Sequence, residues 1–473
     1  MSTSNPPQNP PPDDVEDEDL LAEDDAAEEI GEDPDHPMDE DDEDVDIEGE
    51  EIQLQNDSAA HFDAHTDSIF CIAQHPARPS IIITGGGDDA AYIFDASTAN
   101  LSTPAHTPGS ERQSLPPLQK LDGHKDSVNA VTFTYPRGDY VVTAGLDGQL
   151  RAWQSKDSSA KSWTFIAAVS EVEEINWVAA SPNPSHENVV ALGANDGSVW
   201  IYQINATDKE SPLTIVQAFY LHTASCTAGA WTPDGNLLAT VSEDGSLYVW
   251  DVFSTGQAVV SQTAADQRFE VEGGLYSVAC TPSLVAVGGA GGNIKVVGLP
   301  QPSDQTKKNA KGGRSAGGQS ASTSASAGQI LASLQAQSDG VETLSFSSPP
   351  LSLLAAGSVD GSIALFDTAH RFAVRRHIKE AHEEYAVVKV DFVRNRERGG
   401  WILTTAGMDG VVRRWDARGG TTAAGQGFIQ EWRGHRGEGE GGGVLGFVQG
   451  GGDNRIVTAG DDGVALVFKA DIA

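Results

Sequence analysis

Residues 123–155, GHKDSVNAVTFTYPRGDYVVTAGLDGQLRAWQS, decide the fold of this chain. A short apolar run, YVVTAG, precedes Asp147-Gly148, and an alternating run follows, so the economical reading is strand, tight turn, strand. The same stretch carries His124, Thr143, Asp147 and Trp153, with Asp four residues after Thr and the aromatic residue six after Asp. That spacing returns in His222/Thr240/Asp244/Trp250, His382/Thr405/Asp409/Trp415, His65/Thr84/Asp88/Phe94 and His435/Thr458/Asp462/Phe468. Three more stretches keep the turn and the aromatic-like position without the His: NDGSVWIY ending at Tyr202, AGGNIKVV ending at Val297 and VDGSIALF ending at Phe366. The eight turn positions, 88, 147, 196, 244, 291, 360, 409 and 462, lie 47 to 69 residues apart. Asp-Gly stands at six of them, where one residue has to tolerate positive φ.

This pattern resembles the WD40-repeat family over residues 52–473. The resemblance implies an all-β, eight-bladed β-propeller with somewhat longer loops than the usual period of about 40 to 45 residues leaves. It further implies that His, Thr, Asp and Trp form a buried hydrogen-bonded tetrad in each blade that carries them. Phe94 and Phe468 have no indole N–H, so those two tetrads are expected to have three members; the repeats ending at Tyr202, Val297 and Phe366 are expected to hold by apolar packing. A His beside an Asp and a Thr also looks catalytic, but the arrangement recurs five times and an active site does not. With no unrepeated nucleophile, metal cluster or phosphate loop, the chain is not expected to be an enzyme or to need a cofactor or metal.

The first 51 residues hold 24 Asp or Glu and no Lys or Arg. Taking those 24 from the 69 of the whole chain leaves 45 acidic against 30 basic residues, so the repeats themselves carry −15 of the −39 total. Residues 1–50 cannot bury enough apolar surface to fold alone and are expected to be a disordered acidic tail. Residues 51–473 form the propeller, with flexible inserts at 97–118 and 300–328, and RGEGEGGG (436–443) is expected to make a mobile loop. No apolar run reaches membrane-spanning length and no signal segment precedes the repeats, so a cytoplasmic protein with no membrane partner is expected. Cys71, Cys226 and Cys280 lack partner spacing for a disulfide or metal, which suits a reducing compartment. After VALVF (464–468) too few residues remain for a last outer strand. The alternating segment 51–57, EIQLQND, is the candidate to close the ring, because a bare edge aggregates; the alternative is that it only extends the tail.

A closed propeller gathers on one face the loops leading into the blades and the turns between second and third strands. Aligned on the blades, those positions carry Asp67, Asp126, Glu173, Glu174, Glu272, Asp339, Glu342, Glu383 and Glu384, with Glu243 and Asp461 just before turn Asp residues. One exposed ion pair is worth only about 0.2 to 1 kcal/mol, but carboxylates converging on one concavity focus their field on a cationic ligand. A basic partner, not nucleic acid, is therefore expected. The set HTDSIFC (65–71), TGGGDDAAYIFD (84–95), GHKDSVNA (123–130), VEEINW (172–177) and DGVVRRWDAR (409–418) is similar to one WD40 subfamily. Its members are the angio-associated migratory cell protein and the fungal chaperone of the large-subunit ribosomal protein of the L-ten (universal L-sixteen) family. The resemblance implies a monomeric chaperone that binds the basic N-terminal segment of that nascent ribosomal protein on the acidic face, meets ribosomes transiently and delivers its client to maturing large subunits. Two alternatives stand beside it: a substrate receptor of a ubiquitin ligase, through the WDxR box Trp415-Asp416-Ala417-Arg418, and a general WD40 scaffold.

Overall fold

In the computed structural model each repeat becomes one antiparallel sheet, and the reason is visible in the burial of its strands. The second strands, such as Tyr140–Gly145 and Val189–Ala194, are buried along their whole length, as their unbroken apolar sequences require of strands covered on both sides. An outer strand such as Ile330–Gln335 alternates between half-buried and exposed residues, as a strand with one wet side does. The structure describes residues 55–101, 112–300, 326–394, 400–418, 427–436, 442–450 and 454–470. The expected tail, the middle of both inserts and most of the Gly-rich loop lie outside these residues.

Eight sheets are present. Their inner strands are Ile69–Gln74, Val128–Phe133, Ile175–Ala180, Cys226–Trp231, Leu275–Cys280, Val341–Phe346, Val387–Phe392 and Val444–Gln449. Each packs on the next and the eighth on the first, so the ring is closed. Apolar clusters fill the spaces between blades; Ile83 and Ile93 of blade 1, for example, meet Val128, Val131, Val141 and Trp153 of blade 2. At the six Asp-Gly turns the Gly has φ between 70° and 83°, the left-handed conformation that glycine adopts without cost.

The closing strand is not where the alternation of Ile52 and Leu54 suggested. Ala60–Phe62 pairs antiparallel with the third strand of blade 8, Ala465–Lys469, while residues 55–58 form no strand and residues 51–54 lie outside the described residues. Ala60 and Phe62 are fully buried, and Phe62 stacks on Phe94 at 4.3 Å, so apolar burial just ahead of His65 selects this triplet. Residues 56 and 57 still brace the seam: the Asp57 N–H donates to the Arg433 carbonyl at 2.7 Å, and the Arg433 N–H donates to the Asp57 carboxylate at 2.9 Å.

The first insert is also more ordered than its composition implied. Its residues Gln113–Ser114 add a fifth strand to blade 8, parallel to Ala60–Phe62. The Leu115 N–H donates to the His61 carbonyl at 2.8 Å, the Leu115 side chain is buried, and Arg112 holds the Asn56 carbonyl at 2.7 Å. Pro117–Leu121 is then the outer strand of blade 1 itself. A Ser/Thr/Pro-rich segment thus clamps the closing strand from outside.

Candidate functional site

The histidines that look catalytic are the locks of the blades. His65 Nδ1 lies 2.9 Å from Asp88 and its Nε2 2.9 Å from Thr84; His435 bridges Asp462 and Thr458 in the same way at 3.1 and 2.7 Å. In blade 7 the chain is complete, with His382 between Asp409 and Thr405 and the Trp415 indole donating to Thr405 at 3.0 Å. Arg413 adds an ion pair to Asp409, whose carboxyl is held down at about 2: burial opposes ionisation, and His382 together with the Arg413 charge outweighs it. All five rings are inaccessible.

Two tetrads depart from the expected pattern. In blade 4, His222 Nδ1 bonds Ser246 Oγ at 2.6 Å and stands 4.0 Å from Asp244, which instead accepts from the N–H groups of Thr223 and Ser246. A serine after the Asp-Gly turn, shorter and nearer the ring, displaces the carboxylate. In blade 2, His124 bridges Asp147 and Thr143 at 3.0 and 2.7 Å, but Trp153 packs edge-on against Phe165. The blade ending at Phe366 does not rely on apolar packing alone. Gln337 occupies the histidine's place and donates to the Ser362 carbonyl at 2.9 Å, while Asp360 accepts from the Ser338 N–H at 2.7 Å.

The acidic residues occupy one face, fixed by eight equivalent backbone bonds. In every blade the turn donates to the lead-in loop: Gly87 to Ser68, Leu146 to Ser127, Asn195 to Glu174, Glu243 to Ser225, Ala290 to Gly274, Val359 to Gly340, Met408 to Ala386 and Asp461 to Gly443, at 2.9 to 3.2 Å. Asp67, Asp126, Glu173, Glu174, Glu272, Asp339, Glu383 and Glu384 are exposed on those loops, Glu243 is exposed on a turn, and Asp461 is half-buried there. Asp67, Asp126 and Asp339 each accept the N–H of the following residue at 2.6 to 2.7 Å, which orients the carboxylate on the loop. Asp461 accepts from Ser68 Oγ at 2.6 Å, joining blades 8 and 1. Glu383 adopts φ 55°; with Glu380, Glu384 and Tyr385 it lines a hollow of about 600 Å³ open to solvent.

Glu342 differs, being the second residue of an inner strand. At that position all eight inner strands shift register against the second strand, a β-bulge that frees one residue from pairing. In blades 2 to 4 the freed side chain ties the next blade: Asn129 to the Ile175 carbonyl, Asn176 to that of Cys226 and Thr227 to that of Leu275, at 2.6 to 3.1 Å. Phe70, Tyr276 and Glu342 hold the same position in blades 1, 5 and 6; Phe70 and Glu342 are exposed, and the Tyr276 hydroxyl turns back to the Gly273 carbonyl. Partial desolvation and the Asp339 charge raise the Glu342 carboxyl above its usual range. Desolvation and the charges of Glu342, Glu243 and Asp339 likewise raise the Tyr276 phenol.

Sequence reasoning missed Glu171, Glu270 and Glu380, exposed on the same loops, and the apolar members of the face, Phe70, Leu146, Tyr220 and Leu221, exposed by 37 to 64%. Their positions on lead-in loops and turns were the available signal; the bulge that frees Phe70 and Tyr276 had none. Trp415 and Asp416 of the WDxR stretch are occupied within the fold, by Thr405 and by a bidentate pair with Arg418. Chemically, the face offers fixed carboxylates around aromatic and aliphatic groups, a surface for cationic side chains on an extended chain.

The WD domain, G-beta repeat family matches residues 56–95, 115–154, 213–251 and 328–367. The chain is 29% identical to the ribosome assembly protein SQT1 of Saccharomyces cerevisiae, over 90% of this chain and 93% of that one. It is 27% identical to the angio-associated migratory cell protein of Homo sapiens, over 87% and 80%. Among solved structures it superposes on Chaetomium thermophilum Sqt1 bound to the N-terminus of the ribosomal protein L10, with 50% identity, a TM-score of 0.75 and coverage of 88% of this chain and all of that one.

Proposed function

The chain belongs to the Sqt1 family of WD40-repeat proteins, and from that premise we propose that it is a ribosome-assembly chaperone holding the basic N-terminal segment of ribosomal protein L10. The observation that carries this reading is the ring of outward carboxylates on the turn face, built on a propeller that shares half its residues with an L10-bound Sqt1. A basic segment freshly made on the ribosome seeks phosphate; fixed carboxylates compete with RNA for it until the assembling large subunit takes it over. Asp67, Asp126, Glu173, Glu174, Glu243, Glu272, Asp339, Glu342, Glu383, Glu384 and Asp461 are the residues assigned to this contact. The chaperone acts by binding rather than by covalent chemistry, and it acts in the cytoplasm, where its client is made.

The test is binding of a synthetic L10 N-terminal peptide by stopped-flow fluorescence. Reversing Glu173, Glu174, Glu383 and Glu384 to Lys is expected to abolish capture while leaving melting unchanged, because all four are exposed and none belongs to a tetrad. Binding by the unaltered protein is expected to weaken as salt shortens the screening length below about 8 Å. If the reversed protein binds as fast and as tightly, the acidic face is solvation and the client sits elsewhere.

A further inference from the structure

Carboxylates crowd the turn face, but arginines gather at the other end of blades 6 and 7. The third strands Ile363–Asp367 and Val412–Asp416 and the inner strand Val387–Phe392 all end on the side away from the turns. There Arg375, in the outer strand Ala373–Ile378 of blade 6, donates to the Arg418 carbonyl at 2.8 Å. The Arg418 guanidinium lies 5.8 Å from the Trp401 ring centroid. Arg394 follows Val393, whose N–H meets the Ile402 carbonyl beside Trp401, and Arg371 lies in the turn two residues before the outer strand of blade 6. The acids nearby are already engaged: Asp367 by His370 and Arg375, Asp416 by Arg418. Arg371 and Arg394 are exposed and have no hydrogen-bond or ion-pair partner among the described residues.

The same edge is apolar. Val374, Phe428 and Ile429 are exposed by 50, 46 and 38%. Arg376 ties the outer strand of blade 6 to blade 7, donating to the Asp416 carbonyl at the end of its third strand at 2.9 Å and lying against Gly427, the residue before Phe428. The outer strand of blade 7, Phe428–Trp432, has no neighbouring strand on its outer side among the described residues, so its backbone can pair with an extended segment.

We propose that this edge of blades 6 and 7 docks an acidic segment with apolar residues, belonging to a protein partner, while the turn face holds the client. Guanidinium groups pair with carboxylates two bonds at a time, and the exposed Val, Phe and Ile side chains take the apolar residues between them. RNA fits less well. A phosphate backbone makes no use of those apolar side chains.

The test uses the full chain and a fluorescein-labelled peptide of alternating Glu and Leu, read by anisotropy, with a Lys/Leu peptide and oligouridine as comparisons. Saturable binding of the Glu/Leu peptide but not of oligouridine is expected, weakened about tenfold by Arg371→Glu with Arg394→Glu, two exposed pairs changed from attraction to repulsion, whereas the Lys/Leu peptide, held by the turn face, should be indifferent to that pair. Phe428→Ser with Ile429→Ser should weaken it independently, and reversal of Glu383 and Glu384 on the turn face should not. Melting curves identify any variant that fails to fold, and two separate pairs of substitutions keep the outcome decisive. Binding indifferent to both pairs, or no binding, overturns the proposal; patch-dependent binding of oligouridine but not peptide assigns the surface to RNA and overturns it equally. Loss of L10-peptide binding by the turn-face reversal bears only on the chaperone reading.

Discussion

Replacing Phe62 by Ala tests how the ring is closed. Phe62 is wholly buried, stacked on Phe94 at 4.3 Å and edge-on to Tyr92 and His65 at 5.9 and 6.2 Å. Truncating a phenylalanine in such a site costs about 3 to 5 kcal/mol. With an unfolding entropy of about 2.1 cal/mol/K per residue over roughly four hundred residues, Tm should fall by about 4 to 6 °C. Calorimetry of Phe62→Ala, of a deletion of residues 1–54 and of a deletion of residues 1–63 separates the possibilities. The short deletion should melt like the full chain, whereas the long one removes the strand that pairs with Ala465–Lys469 and should lower or broaden the whole transition. A short deletion that destabilises as much as the long one would return the closing strand to 51–57, and unchanged melting of Phe62→Ala would refute the seam.

Ser246→Ala leaves the buried His222 Nδ1 without its partner, which should cost about 1 to 3 kcal/mol in a denaturant titration without altering L10-peptide affinity of the folded protein. Burial, with Asp244 opposing it, depresses His222 to about 4 from 6.5. The unfolded chain therefore binds the proton more readily, and stability present above pH 6.5 should be lost as pH falls towards 4, by roughly 3 kcal/mol at most; a flat profile of unfolding free energy between those limits contradicts this. Since Glu342 is raised by desolvation and by Asp339, a bound cation should drive its proton off. Calorimetry of L10-peptide binding in mildly acidic buffers of differing ionisation enthalpy should show proton release that Glu342→Gln removes, and equal release from both proteins would place the linkage on other groups.

The turns and locks were legible because each is a local requirement. A left-handed residue at a two-residue turn has to be Gly, Asn or Asp, so Gly148, Gly197, Gly245, Gly361, Gly410 and Gly463 stand where the sequence shows them. Closure was legible only as a need. Which triplet fills the edge depends on Phe62 meeting Phe94 and on Leu115 arriving from an insert, contacts between segments with no common sequence signal. The blade 4 lock shows the same limit: Asp244 and Ser246 both lie within reach of His222, and spacing cannot say which oxygen comes nearer.

The face was legible as a list of acidic positions, but not as a surface. Net charge averages over the ring and hides the arginines of blades 6 and 7. Spacing along the chain gives no bulge, and the bulge is what separates Asn129, Asn176 and Thr227, tied to the next blade, from Phe70, Tyr276 and Glu342. Like charges about 6 Å apart repel by roughly 0.7 kcal/mol in bulk water and by several times that near a protein surface. A loose loop would relieve the repulsion by moving away. Here each lead-in loop is bonded to a turn whose strands are buried in the ring, so its carboxylates have little freedom to move apart. On the function proposed above, the buried tetrads serve binding indirectly, by holding the blades rigid enough for the carboxylates to keep their places when a basic segment docks.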